Sequence, residues 1–145
     1  MSHRTLEPSE AKALLEGPEG WTYVDVRTEE EYRAGHATGA WNVPFAVRDA
    51  SGRMALNADF AAVMRAAFPP DARLVLGCAS GMRSQGACEL LESEGYTNLV
   101  NLAHGFLGQR DPSGRVLRLG WQAAGYPCET AAPPERTYTA LRARA

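Results

Sequence analysis

What this chain has little of bounds it first. Three cysteines occur in 145 residues, Cys78, Cys88 and Cys128. None stand at a C-x-x-C spacing, so the sequence spells out no metal-ligand set, and an odd number cannot all pair within the chain. Three free thiols in a reducing compartment are the expected state. No apolar run approaches the roughly 18 residues that a membrane helix requires. The opening residues, Met1-Ser2-His3-Arg4-Thr5-Leu6-Glu7-Pro8, lack the apolar core of a secretory signal. The expectation is a cytoplasmic protein with no membrane partner. Neither sign of charge is in excess: a formal net charge of -2 offers no basic field for nucleic acid. Internal repeats and low-complexity segments are absent.

What is present alternates short strand-like runs with helical stretches. Ala11, Leu14 and Leu15 share one helical face after Pro8, and Gly17-Pro18 ends that helix. Trp21 to Val26 is aromatic and β-branched, which favours a strand. Thr28 followed by Glu31 has the spacing of a capping box, and Gly35 stops the helix that it opens. Gly39 to Pro44 gives a brief strand. Phe60, Val63, Met64 and Ala67 mark another helix, closed by Pro69-Pro70. Leu74 to Leu76 is an unbroken apolar run of the kind buried on both faces of a parallel sheet. Ser84, Ala87, Cys88 and Leu91 lie on one face of a helix ending at Gly95, and Leu99 to Leu102 is a further strand. Such alternation predicts an α/β fold, a mostly parallel sheet with helices on both faces, whose sites form beyond the carboxyl ends of the strands.

Cys78 stands at such an end, in the stretch Leu74-Val75-Leu76-Gly77-Cys78-Ala79-Ser80-Gly81-Met82-Arg83-Ser84. A cysteine closing a core strand is often only packing. The loop after it argues otherwise. Gly81 permits a positive φ, so successive N–H groups can curl into an anion-holding nest. A helix beginning near Ser84 aims its free N–H groups and positive dipole end at the loop, and Arg83 adds a permanent charge. These groups together favour a thiolate, a persulfide or a bound oxyanion.

The loop resembles that of the rhodanese-like domains, sulfurtransferases whose active loop has the form C-x-x-G-x-R-S. Further stretches carry the same resemblance: Tyr23-Val24-Asp25-Val26-Arg27 with Glu31-Tyr32, Gly35 to Pro44, Leu99-Val100-Asn101-Leu102 leading to Gly105-Phe106, and Trp121 to Pro127. In order, they cover about residues 5 to 127. The resemblance implies the three-layer rhodanese fold, with Cys78 as nucleophile and the loop Ala79, Ser80, Gly81, Met82, Arg83 and Ser84 cradling a cysteine persulfide. It implies a small sulfur-containing anion as donor, a thiol (small or on a protein) or cyanide as acceptor, and no metal or organic cofactor. The expected organisation is one domain over residues 1–128 with an insert at 107–120, then a carboxyl-terminal extension over 129–145 that is loose or runs over the surface.

Two other readings of the same loop stand beside it. Cysteine-dependent phosphatases and arsenate reductases of similar fold place five residues between cysteine and arginine, whereas this chain places four, Ala79 to Met82; the smaller ring favours sulfur. Non-catalytic rhodanese-like modules commonly lack the cysteine, which this chain keeps. Several positions depart from the family pattern. Ala79 and Ser80 are neutral where thiosulfate-preferring members often carry basic residues, so a persulfide, a polysulfide or a partner protein is as good a donor as thiosulfate. His104-Gly105 replaces a Gly-Gly pair, making His104 either a proton carrier at the pocket edge or a strand-end histidine. The segment Leu107 to Gly120 is longer than usual; Asp111-Pro112-Ser113-Gly114 is a turn signal for a hairpin-like excursion within it, it holds Arg110, Arg115 and Arg118, and it is either a solvated loop or a lid or docking surface beside the site. Asp25 and Arg27 either orient the cysteine loop, with Asp25 reaching Arg83, or form a structural ion pair with Glu31. Phe45 lines the pocket or joins the core, His36 holds the turn before Gly39, Cys88 is packing, and Cys128 follows the last motif.

Overall fold

The alternating runs assemble around one parallel sheet in the computed structural model, which describes residues 3–145; Met1 and Ser2, the start of the amino-terminal segment read above, lie outside the described residues. In chain order, β1 (Arg4–Leu6) leads to α1 (Pro8–Glu16), and β2 (Thr22–Asp25) to α2 (Glu29–Ala34). Two short strands follow, β3 (His36–Ala37) and β4 (Trp41–Asn42). A hairpin of β5 (Ala46–Arg48) and β6 (Met54–Leu56) precedes α3 (Phe60–Ala67). Then come β7 (Arg73–Gly77), α4 (Met82–Ser93) and β8 (Asn98–Leu102). A second hairpin, β9 (Gln109–Arg110) with β10 (Val116–Arg118), is followed by β11 (Cys128–Glu129), a 3-10 turn at Pro134–Arg136 and α5 (Tyr138–Ala143). The main sheet runs β1-β8-β7-β2-β4, with every neighbouring pair parallel.

The period-two alternation of a strand decides what each face buries. Tyr23, Val75, Val100 and Leu102 pack with Ala11 of α1 on one side. Val24, Leu74, Leu76 and Leu99 face the other side, with α3, α4 and α5. Leu74, Val75 and Leu76 are all fully buried, because β7 is central and covered on both faces. The α2 capping box forms as its spacing implied: Glu31 N–H donates to Thr28 Oγ1 at 3.2 Å, and Thr28 N–H to Glu31 Oε1 at 3.0 Å.

The segment after Cys128 departs from the expected loose tail. β11 pairs antiparallel with β3, setting Cys128 opposite Ala37 and Glu129 opposite His36. Beyond it, Thr137 caps α5 by accepting from Ala140 N–H. Tyr138 and Leu141, three apart and so on one helical face, are buried in the same core as Phe60 and Met64. The Tyr138 hydroxyl accepts from Asn57 Nδ2 at 2.8 Å. An isolated six-residue helix is unstable in water; here burial of two large side chains holds it.

Candidate active site

Four parallel strand pairs bring the carboxyl ends of β2, β7 and β8 to one edge of the sheet, and Cys78 follows directly on Gly77 there. Gly77 itself is required: a Cβ would lie 2.4 Å from the Tyr23 hydroxyl oxygen. The loop turns at Gly81, whose φ is +105°, and α4 begins at Met82, two residues earlier than Ser84. Ser84 is therefore still within the first turn, where backbone N–H groups have no helical partner. Its N–H reaches Cys78 Sγ at 3.3 Å, the Gly81 N–H does so at 3.1 Å, and the Ser84 hydroxyl lies 3.4 Å from the same sulfur. Of the backbone N–H groups over residues 79–84, those of Gly81 and Ser84 reach sulfur. Cys78 is 1% exposed, at the floor of the loop, while Met82 at the rim is 81% exposed. Two backbone donors and the amino-terminal end of α4 are thus directed at one sulfur.

Arg83 does not pair with Asp25. Its guanidinium forks onto both oxygens of Glu31, at 2.8 and 3.1 Å, tying the loop to α2. Burial opposes ionisation of Glu31, but the Arg83 hydrogen bond and the Thr28 backbone outweigh it and hold the carboxyl down at about 2. Asp25 and Arg27 pair with each other rather than with Glu31: Arg27 Nη2 lies 2.8 Å from Asp25 Oδ2 and Nε lies 3.0 Å from Oδ1. Arg27 also donates to the Gly35 carbonyl at 2.7 Å and stacks over Phe106 at 4.4 Å. Both residues are buried, so this pair is a structural brace between strand end and turn. The sequence could not choose among these pairings, because Glu31 and Arg83 are 52 residues apart.

Asn101 is a residue that the sequence reading did not single out. It sits near the end of β8, 2% exposed, and its Oδ1 accepts from the Ser84 hydroxyl at 2.5 Å. The only available signal was a polar residue inside the apolar run Leu99 to Leu102. His104 has φ +65°, a left-handed conformation that glycine adopts without cost, which explains why a Gly-Gly pair suits this turn. Its ring points to Glu7, with Nε2 2.9 Å from Oε2. Phe45 packs edge-to-face on Phe60 at 5.3 Å and against Gly86, where an added Cβ would lie 3.0 Å from the ring; it supports α4 from the core side. A cavity of about 590 Å³ adjoins the loop, lined by Arg83, Glu31, Glu30, Arg48 and Met54 among others; Cys78 is not in its wall.

The remaining candidates lie apart from the sulfur. His36 bonds the Tyr32 carbonyl at 2.7 Å and Glu129 at 3.3 Å, while Glu129 accepts from Gly39 N–H; together they hold the turn. Burial pushes the Cys88 thiol far up, consistent with packing. Cys128 is exposed and donates to the Tyr126 carbonyl. Among the described residues, no three His, Cys, Asp or Glu side chains are grouped to hold a metal ion, and no helix is long and apolar enough to cross a membrane.

This loop-and-sheet arrangement has relatives. A profile of the rhodanese-like domain matches residues 7–109. The chain belongs to the rhodanese-like domain family. Thiosulfate sulfurtransferase 16 of Arabidopsis thaliana is 41% identical to this domain over 87 residues, spanning 60% of this chain and 72% of that protein. Thiosulfate sulfurtransferase 18 of the same plant is 34% identical over 111 residues, 75% of this chain and 79% of that one. The crystal structure of Rv0390 from M. tuberculosis matches with a TM-score of 0.75 at 30% identity, covering 90% of this chain and 100% of the other. The profile match ends at Gln109, the first residue of β9.

Proposed function

We propose that this rhodanese-like domain is a sulfurtransferase that carries sulfur on Cys78. The Cys78 thiolate attacks the outer sulfur of a donor such as thiosulfate, a polysulfide or a persulfide. The donor's S–S bond breaks, its electron pair leaves with the departing group (sulfite when the donor is thiosulfate), and Cys78 becomes a persulfide. A thiolate or cyanide then attacks the outer sulfur, and Cys78 leaves as thiolate. The chemistry is two-step covalent catalysis. The observation that carries this reading is the convergence of the Gly81 N–H and the Ser84 N–H on one sulfur, with the Ser84 hydroxyl 3.4 Å away, in a ring with four residues between cysteine and arginine. Arg83, held bidentately by Glu31, keeps the ring's shape, and the α4 amino terminus supplies the field on the anion. Relatives named as thiosulfate sulfurtransferases support the same reading.

Incubation with thiosulfate, polysulfide or a low-molecular-weight persulfide, followed by mass spectrometry, should show one added sulfur on Cys78, lost on adding cyanide with release of thiocyanate. Cys78→Ser should show none. Absence of the adduct with all three donors would overturn the reading and favour a docking module. A second reading is kept because a relative 33% identical over 102 residues is the protein HIGH ARSENIC CONTENT 1 of Arabidopsis thaliana, of which this chain spans 59%. Arsenate reduction or p-nitrophenyl phosphate hydrolysis that disappears in Cys78→Ser would favour oxyanion chemistry over sulfur transfer.

A further inference from the structure

We infer that the β9–β10 hairpin is a docking arm for the sulfur acceptor, and that this acceptor is an acidic protein segment bearing a thiol. The inference rests on the sulfurtransferase reading and names the partner of that site. The arm's root is bonded to the cysteine loop itself: Phe106 N–H donates to the Cys78 carbonyl at 2.7 Å, and Leu107 N–H to the Ala79 carbonyl at 2.9 Å. Its neck is two glycines in close approach. A Cβ on Gly108 would lie 2.4 Å from the Arg118 carbonyl oxygen, and one on Gly120 would lie 2.3 Å from the Gly108 nitrogen. Trp121 N–H then returns to the Gly105 carbonyl at 2.9 Å. The tip is equally ordered, since Asp111 Oδ1 accepts from Ser113 N–H, the Ser113 hydroxyl and Arg115 N–H.

Between neck and tip the arm buries almost nothing. Every residue from Gln109 to Leu119 is exposed except the half-buried Asp111. A two-stranded hairpin on its own is marginal in water, and this one displays Leu107 at 46%, Leu117 at 51% and Leu119 at 55% exposure. It carries three arginines against one aspartate, and that aspartate is used up in the turn. Among the described residues, Arg110, Arg115 and Arg118 have no carboxylate within salt-bridge distance. The arm is thus a cationic, apolar projection on a chain of net charge -2. Unpaired arginines select an acidic surface and steer its approach, and the leucines select a protein over nucleic acid. The step served is transfer of the outer sulfur: the acceptor thiolate attacks the Cys78 persulfide, a new S–S bond forms on the acceptor, and the Cys78 S–S bond breaks with its electron pair returning to Cys78.

The test uses the full chain with synthetic acceptors: a peptide of Asp, Glu and Leu with one cysteine, the same peptide with Lys for every acidic residue, free cysteine, and cyanide. The acidic peptide should be the better acceptor by about tenfold in kcat/KM at low ionic strength, and added salt should shrink that gap. The triple variant Arg110→Glu, Arg115→Glu, Arg118→Glu should reverse the preference between peptides while leaving turnover with cyanide unchanged. A fluorescent acidic peptide with serine for cysteine should bind wild type and not the variant, in an anisotropy titration that does not depend on sulfur chemistry. Equal use of both peptides, a preference that survives the reversal, or tighter binding of an oligouridylate than of the acidic peptide would overturn the docking arm. Failure of cyanide to release thiocyanate would instead overturn the sulfurtransferase reading, and the anisotropy result would still decide the arm.

Discussion

At Ser84 one hydroxyl proton faces three acceptors: Asn101 Oδ1 at 2.5 Å, the Gly81 carbonyl at 3.2 Å and Cys78 Sγ at 3.4 Å. It can serve one at a time, and the shortest contact assigns it to Asn101. Asn101 therefore governs how much hydrogen bonding the sulfur receives. Replacing it by leucine, close in size, leaves the hydroxyl free to turn towards sulfur, which favours the charged form. Asn101→Leu should therefore make Cys78 react faster with iodoacetamide at neutral pH than wild type, with a stability loss of about 1–3 kcal/mol by urea unfolding for the broken buried network. Slower alkylation would show that the hydroxyl already serves the sulfur. The ring from Cys78 to Ser84 was legible in the sequence because a strand end, Gly81, Arg83 and the residue count are all local. Asn101 was not, since a single polar residue in an apolar strand carries no mark of what it faces.

Among the elements, α2 and the α4 loop are joined by the Glu31 carboxylate, which caps its own helix and grips Arg83. Its folded value near 2 lies below the ordinary 4.5, so the ionised form stabilises the fold. That contribution is complete above about pH 4.5 and is lost as pH falls towards 2. Glu31→Gln should be less stable than wild type at neutral pH, and the two should converge as pH approaches 2 in acid-unfolding curves. A gap that stayed constant with pH would assign the effect to packing rather than to charge. Long apolar or periodic runs such as β7, α1 and α3 could be read from the chain, as could the brief strand that holds β4, whereas β3 and β11 are two residues each and exist only through pairing with distant backbone. The β5–β6 hairpin was missed for a related reason: Met54-Ala55-Leu56 is exposed throughout, so no buried face imposes alternation.

At the scale of the whole molecule, the last helix closes the core beside α3. Leu141 is fully buried, and Leu141→Ala should cost about 2–4 kcal/mol in chemical denaturation, a loss that a surface-running tail would not produce. In sequence this segment resembles a tail because only Tyr138 and Leu141 face inward, too few to form a readable stripe. The contrast with the β9–β10 arm is instructive: one appendage is absorbed into the core, the other is held off it. Gly108 and Gly120 bring the arm's two ends together without borrowing any side chain from the sheet, and Trp121 resumes its buried place immediately afterwards. The stretch between those glycines is consequently interchangeable. Its length and chemistry can be rewritten without disturbing the sulfur ring, so choice of partner can evolve, or be engineered, separately from the chemistry at Cys78.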